Sequence, residues 1–189
     1  EVVVYPKYEP LGHLDTSNYF KASNGFYHGV IDASGRIIVP IEYDYIGRMR
    51  EDIIVARKDG VYGCFDKSGR NIVPFEYQEI KEYVGGMARI CEKGRYGFID
   101  KDGEKIVSPY YDAVENFSEG CAKVVAKGKA GFVKLNQDSG SVKEEWVVFP
   151  MYEAAGSFSC GLAPLCQGGK YGFINKSGEF IVSVRYDFA

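Results

Sequence analysis

The chain has 189 residues, 46% hydrophobic and 26% charged, the balance of a folded globular protein rather than a disordered one. Its formal net charge is -3 with the signs interspersed, which leaves no electrostatic footprint for nucleic acid, and its apolar runs, such as Trp146 to Tyr152, are far too short to insert in a bilayer. The five cysteines form no Cys-x-x-Cys pair and only His13 and His28 accompany them, which argues against a zinc site and a disulfide framework.

Two columns of residues recur along the chain. Gly29, Gly63, Gly97 and Gly131 stand 34 residues apart, and Gly172 follows after 41. Val4, Val39, Val73, Val107, Val148 and Val182 each precede a tyrosine by four residues (Tyr8, Tyr43, Tyr77, Tyr111, Tyr152, Tyr186). Such a period marks repeated supersecondary units, each burying its apolar face on its neighbours. The expected organisation is one repeat domain over 1–189, with units near 1–29, 30–63, 64–97, 98–131, 132–172 and a partial 173–189. The chain begins at the second strand of a unit and stops just after the same phase, as a piece trimmed from a longer array would.

The first unit is irregular: Pro10 to Gly25 carries one extra residue, as an end cap would. Each later unit opens with a strand whose apolar residues alternate (Ile54/Ala56, Ala88/Ile90, Ala122/Val124, Ala163/Leu165), placing each pair on one face. A glycine-containing turn follows (Asp59-Gly60, Lys93-Gly94, Lys127-Gly128, Gly168-Gly169), then a second strand of the type Tyr96-Gly97-Phe98-Ile99. The next turn is the strongest local signal: Asp32-Ala33-Ser34-Gly35, Asp66-Lys67-Ser68-Gly69, Asp100-Lys101-Asp102-Gly103 and Asn175-Lys176-Ser177-Gly178. Asp or Asn first and glycine fourth predict a type I turn with a glycine bulge.

A third strand contains the valine column, and Pro40, Pro74, Pro109 or Pro150 is expected to end it. The tyrosine column comes next, best read as packing residues whose hydroxyls find backbone partners. A five-residue connection then leads to an apolar column, Leu14, Met49, Tyr83, Phe117 and Phe158. The fourth unit departs twice. Ala130 replaces the aromatic before Gly131, and the hairpin tip grows by seven residues, through Asn136 to Glu145, as an inserted loop ending at the only tryptophan, Trp146.

Helical periodicity never persists, so the predicted fold is all-β: a repeat array of three-stranded β-meander units of about 34 residues, stacked as an open, twisted β-solenoid-like structure. The alternative is a closed β-propeller-like ring, whose blades need four strands where these units offer three. Cys64, Cys91, Cys121 and Cys166 occupy apolar columns and read as small buried hydrophobes, whereas Cys160 replaces Glu119 and is expected at the surface.

At these residues the sequence resembles the WG-repeat (KWG repeat) family of bacterial proteins. The resemblance rests on Tyr96-Gly97-Phe98-Ile99-Asp100, Lys101-Asp102-Gly103, Tyr111-Asp112 and Phe117-Ser118-Glu119-Gly120-Cys121-Ala122, with tyrosine, histidine or alanine where the family has tryptophan before glycine. It implies a repeat scaffold used for binding, often in envelope-associated or secreted proteins, and no enzymatic activity to carry over.

The residues themselves point the same way. Asp100-x-Asp102-Gly103 resembles the start of a calcium loop but lacks the bidentate acid further on, so turn chemistry is the better reading. Asp112, Glu115, Glu119 and Glu79 could serve glycoside hydrolysis only by being acidic, and Cys160 has no evident histidine partner. No phosphate loop, nucleophile elbow or cofactor signature appears, so neither an enzyme nor a cofactor is expected. The aromatics outside the columns (Tyr19, Phe26, Tyr27, Tyr45, Phe75, Tyr110, Trp146 and Phe149) are the stronger lead. Of these, Trp146, Tyr110, Tyr45 and Phe149 are the candidate ligand contacts. The expected partner is a protein, with a glycan or cell-wall polymer as the rival.

Overall fold

The computed structural model describes residues 7–10, 19–138 and 141–187, with the backbone alone at 7–10, 136–138 and 141–143. Val4, His13 and Leu14 lie outside these residues. The described chain is all-β and folds as five antiparallel four-stranded sheets, each built from strands consecutive in sequence. The first contains β1 (Lys7–Pro10), β2 (Tyr19–Ser23), β3 (His28–Asp32) and β4 (Ile37–Tyr43). The second contains β5 (Tyr45–Arg50), β6 (Ile53–Lys58), β7 (Val61–Asp66) and β8 (Asn71–Tyr77). The third contains β9 (Glu79–Ile80), β10 (Met87–Glu92), β11 (Arg95–Asp100) and β12 (Lys105–Tyr111). The fourth contains β13 (Ala113–Val114), β14 (Cys121–Ala126), β15 (Lys129–Asp138) and β16 (Ser141–Tyr152). The fifth contains β17 (Ala154–Ala155), β18 (Leu162–Gln167), β19 (Lys170–Asn175) and β20 (Phe180–Tyr186). The chain divides into two compact units, 1–93 with 99–104, and 94–98 with 105–189.

The expected count of three strands per unit is corrected to four. The connection after each column tyrosine is itself a strand, heading the next sheet. The amides of Asp44, Gln78, Asp112 and Glu153 donate to the carbonyls of Arg57, Cys91, Val125 and Cys166 at 2.8–2.9 Å and draw this segment alongside its neighbour. In three sheets the strand is two residues long, too short to leave a period in the sequence. With four strands per sheet, strand count no longer separates the stacked arrangement from the ring.

The glycine column exists because of a register shift. His28 pairs with Tyr43 but Val30 pairs with Val39, so one strand advances two residues while its partner advances four. The same shift recurs between Tyr62/Tyr77 and Cys64/Val73, and between Tyr171/Tyr186 and Phe173/Val182. The surplus residues bulge over the intervening glycine. A Cβ on Gly97 would sit 2.3 Å from the Val107 carbonyl oxygen, and one on Gly172 2.6 Å from that of Val182. Pro40, Pro74 and Pro150 lie inside β4, β8 and β16 rather than ending them, in the bulged stretch where no ladder donor is lost.

The Asp-x-x-Gly turns form as predicted. Asp32 Oδ1 accepts from the amides of Ser34 (2.9 Å) and Arg36 (3.0 Å), and Asn175 Oδ1 accepts from those of Ser177 and Glu179 (both 3.0 Å). The predicted strand pairs are core: Ile54, Ala56, Ile90, Ala122, Val124, Ala163 and Leu165 are fully buried. In the first compact unit one cluster joins Val30, Val39 and Tyr43 to Ile54 and Phe65, and another joins Ile53, Val73 and Tyr77 to Ile90 and Ile99. In the second, Phe132 and Tyr152 pack with Phe158, Leu165 and Ile174. Each cluster takes side chains from successive sheets, so no sheet completes its core alone.

Successive sheets are also fastened by polar links at one repeat position. Glu51 Oε2 accepts from the Gly86 amide and from Lys101 Nζ, both at 2.9 Å. The equivalent Glu119 Oε2 accepts from the Gly161 amide (2.9 Å) and Lys176 Nζ (3.1 Å). Ser118 Oγ donates to the Phe158 carbonyl at 2.8 Å beside it. The Ser-Glu-Gly motif is therefore a latch onto the following repeat. It sits in a tight turn with positive φ at both central residues, 51° at Glu119 and 82° at Gly120.

Candidate functional site

Three of the four candidate contacts come together in the second compact unit. Trp146 stacks on Phe149 with ring centroids 4.8 Å apart and planes 29° from parallel. The indole meets the ring of Tyr111 edge-on at 5.9 Å, and Tyr111 in turn meets Tyr110 at 5.7 Å. The result is an unbroken strip, Tyr110–Tyr111–Trp146–Phe149. Its two ends are open, with Tyr110 61% and Phe149 62% exposed, whereas Tyr111 is buried and Trp146 half-buried.

The strip follows from the repeat. Trp146 occupies the position two residues before the valine column, as Phe180 does in the next sheet. Each lies edge-on to the tyrosine of the preceding repeat, Trp146 to Tyr111 at 5.9 Å and Phe180 to Tyr152 at 6.2 Å. Trp146 is thus a packing residue first, and the exposed aromatic surface belongs to Phe149 and Tyr110. The seven-residue insertion beside it is not a loop. It lengthens the β15–β16 ladder, with Lys134 opposite Glu145, Leu135 opposite Glu144 and Asn136 opposite Lys143. That extension carries Glu144 to the Tyr111 hydroxyl, which donates to its carboxylate rather than to backbone. Burial first, and then the Glu144 carboxylate, push the Tyr111 phenol far above its ordinary range.

Tyr110 also borders a shallow cleft of about 210 Å³ lined by Arg95, Pro109, Ala126 and Lys127. Two of these lining residues are held by Asp112, which pairs with the Arg95 guanidinium and accepts from the Lys127 amide. Tyr45 lies in the other compact unit, 42% exposed, with Tyr62 as its ring neighbour at 6.5 Å. Among the remaining off-column aromatics, Phe26 and Tyr27 are exposed at a hairpin tip, while Phe75 stacks on Tyr43 at 5.3 Å and belongs to the core.

The acids weighed for hydrolysis hold the fold. Glu115 pairs with Lys123 and accepts from Ser157, and Glu79 pairs with Lys81. Glu119 is held below the ordinary carboxylate range by Lys176 and the Gly161 amide. Cys64, Cys91, Cys121 and Cys166 are buried and Cys160 is exposed; burial pushes the Cys64 thiol up to about 12. Among the described residues no group of three or more His, Cys, Asp or Glu is placed to hold a metal ion, and no helix is long and apolar enough to cross a membrane. The sequence reading does not single out Tyr62, Arg57 or Arg48, which surround Tyr45. Arg57 and Arg48 each break their repeat column, whereas Tyr62 keeps the aromatic before glycine that Tyr96 and Tyr171 also show.

Solved structures similar to the chain include Hsv2 of Kluyveromyces lactis, at 13% identity and TM-score 0.45 over 93% of this chain and 61% of that one. Another is PorZ, a surface component of the type-IX secretion system of Porphyromonas gingivalis, at 14% identity and TM-score 0.38 over 91% of this chain and 25% of that one. The chain spans about three fifths of the length of the Hsv2 structures (59–61%). Comparison with curated proteins finds no match. The model of the WG containing repeat matches residues 29–62, 62–96, 96–129, 142–171 and 171–189, and its one gap coincides with the lengthened β15–β16 hairpin. With that repeat running through most of its length, the chain belongs to the WG containing repeat family.

Proposed function

We propose that the chain is a non-catalytic binding module that docks a protein partner on the aromatic strip of its second compact unit. The supporting observation is the strip itself. Phe149 and Tyr110 stand exposed at its two ends, backed by a half-buried tryptophan and a buried tyrosine that cannot yield. Rigid aromatic anchors on a fixed scaffold lose little conformational entropy on binding and are enriched among residues that dominate interface energies. Met151, 58% exposed on the same strand, adds apolar area nearby.

A glycan platform is the rival use. Sugar stacking needs a free ring face with polar groups around it. Here one face of Trp146 is covered by Phe149 and its edge region by Tyr111, so the protein reading is favoured. The test is direct. Phe149→Ala and Tyr110→Ala should each weaken a purified protein partner roughly tenfold to a hundredfold while leaving the unfolding midpoint unchanged. Retention on a polysaccharide column that disappears in Trp146→Ala, with no protein partner sensitive to Phe149→Ala, would replace this reading by the glycan one. We further propose that 1–189 is a single repeat domain, since the same repeat runs through both compact units.

A further inference from the structure

The junction between the second and third sheets lacks a filling that a later junction has. In the fourth sheet the Lys123 ammonium reaches the fifth, donating to the Ala155 carbonyl at 3.2 Å. It also pairs with Glu115, which accepts from the Ser157 hydroxyl at 2.9 Å. Counted from the glycine and tyrosine columns, the second sheet has Val55 in place of Lys123 and Gly47 in place of Glu115. The rest of that column reads Lys21, Arg89 and Pro164, so Val55 is one of two members without a long cation. The walls change in the opposite sense. Tyr45 stands where the fourth and fifth sheets have Ala113 and Ala154, and Tyr62 keeps the aromatic that the fourth sheet loses at Ala130. Arg48 and Glu82 occupy one column, which continues as Asn116 and Ser157.

The space so left is a cleft of about 340 Å³ within the first compact unit, with Val55 and Gly47 in its lining. That volume lies at the lower end of small-molecule sites, roughly 300–1,000 Å³. Two rings border it: Tyr45 is 42% exposed and meets Tyr62 edge-on, with centroids 6.5 Å apart and planes at 62°. Among the described residues neither ring stacks on another, unlike Trp146 on Phe149. A Cβ at Gly47 would meet the Val55 carbonyl oxygen at 3.1 Å and the Tyr45 ring at 3.4 Å, so glycine lets that ring settle against the strand. Around the rings Arg48 and Lys81 supply donors, and Glu79 and Glu82 supply acceptors. Glu79 pairs with Lys81, and Glu82 with Arg50 at 3.3 Å, which fixes both carboxylates in place.

We infer that this cleft binds an uncharged saccharide. Its two lining cations are balanced by two carboxylates, so it selects neither an anion nor a cation. What it offers is donors and acceptors together, beside aromatic rings. A sugar hydroxyl donates and accepts at once, so a single sugar ring engages the carboxylates and the cations through charge-assisted hydrogen bonds. An apolar side chain seated here would strip water from the four ionic groups and give them no partner, which is costly. The C–H face of the sugar lies against Tyr45, whose ring joins an apolar body to a hydroxyl. The site shares no residue with the aromatic strip, so neither proposal stands or falls with the other.

The probes are cellotriose, maltotriose and N-acetylated chitotriose, with oligogalacturonate and the glucosamine trimer as charged controls. Binding to the whole chain is followed by calorimetry and on the ring-proton resonances of Tyr45 and Tyr62. At least one uncharged probe should bind, more tightly than either charged control, and should shift the Tyr45 resonances. Tyr45→Ala, which installs the alanine of the fourth and fifth sheets, should weaken binding about tenfold or more at an unchanged unfolding midpoint. Glu82→Ser, which installs the serine of the fifth repeat, should weaken it roughly fivefold to tenfold. Trp146→Ala should leave it intact, which separates this site from a glycan platform on the strip. The proposal is overturned if no uncharged probe binds, if a charged control binds more tightly, or if the Tyr45 resonances stay unmoved. Undiminished binding in Tyr45→Ala or Glu82→Ser, or its loss in Trp146→Ala, overturns it equally.

Discussion

At the residue scale, glycine does two separable jobs in this chain. Gly35 and Gly69 close equivalent turns with nearly equal backbone angles, φ 84° and 87°. Among the described residues a Cβ at Gly35 would have nothing within 4 Å of it, whereas a Cβ at Gly69 would fall 2.0 Å from the carbonyl oxygen of Ile38 in the preceding sheet. Gly35→Ala therefore bears only the left-handed backbone penalty, about 1 kcal/mol. Gly69→Ala adds the displacement of a packed strand, for a total of about 3 kcal/mol. Denaturant unfolding of the two variants separates the contributions; equal losses would show that the sheets do not meet at this turn.

The latch at Glu51 makes a pH-dependent prediction. Lys101, and then the Gly86 amide, hold its carboxyl below the ordinary value. A folded-state value below the unfolded one means that the latch stabilises fully above the unfolded pKa, about 4.3. That contribution fades as pH falls through the lower, folded value. The wild type should thus exceed Glu51→Gln in unfolding midpoint by a constant margin at neutral pH, and the margin should shrink below about pH 4.3. A margin that persists into strong acid would remove charge from the account.

At the scale of elements, the β15–β16 hairpin shows how an insertion is absorbed. Extra residues added at a hairpin tip can extend the ladder in register, because each added pair satisfies its own backbone groups. Replacing Lys134–Glu145 by Asp-Lys-Ser-Gly-Glu should leave the fourth sheet folded, since the same turn closes the others. It should also free the Tyr111 hydroxyl from Glu144 and lower the titration midpoint of that phenol, read by ultraviolet absorbance. Loss of the folded near-ultraviolet signal would mean that the extension is part of the core instead.

The same scale explains what was legible in the sequence. The Asp-x-x-Gly turns were readable to the hydrogen bond, because their conformation is fixed by contacts within four residues. The leading strands Glu79–Ile80 and Ala113–Val114 were not, because strandedness there comes from a backbone pairing partner about a dozen residues away rather than from alternation. Proline misled for a related reason. Pro74 withholds a donor, but inside a bulge the ladder asks for none, and β8 runs on to Tyr77.

At the scale of the whole molecule, repeated sheets that share clusters should unfold together. The proposal of one domain over 1–189 implies a single calorimetric transition, with a van't Hoff enthalpy equal to the calorimetric one. Two resolved transitions, matching the two compact units, would divide the domain instead.

The sequence by itself determined the all-β class, the phase of the repeat, the turn chemistry and the apolar columns. Each of these is enforced in every copy by local geometry or by burial at a fixed period. Only the tertiary structure decided the fourth strand, the bulge that makes the glycine column obligatory, and the grouping of Tyr110, Trp146 and Phe149 apart from Tyr45. Those depend on which backbones lie side by side across a repeat, and a period in one dimension does not specify a neighbour in three.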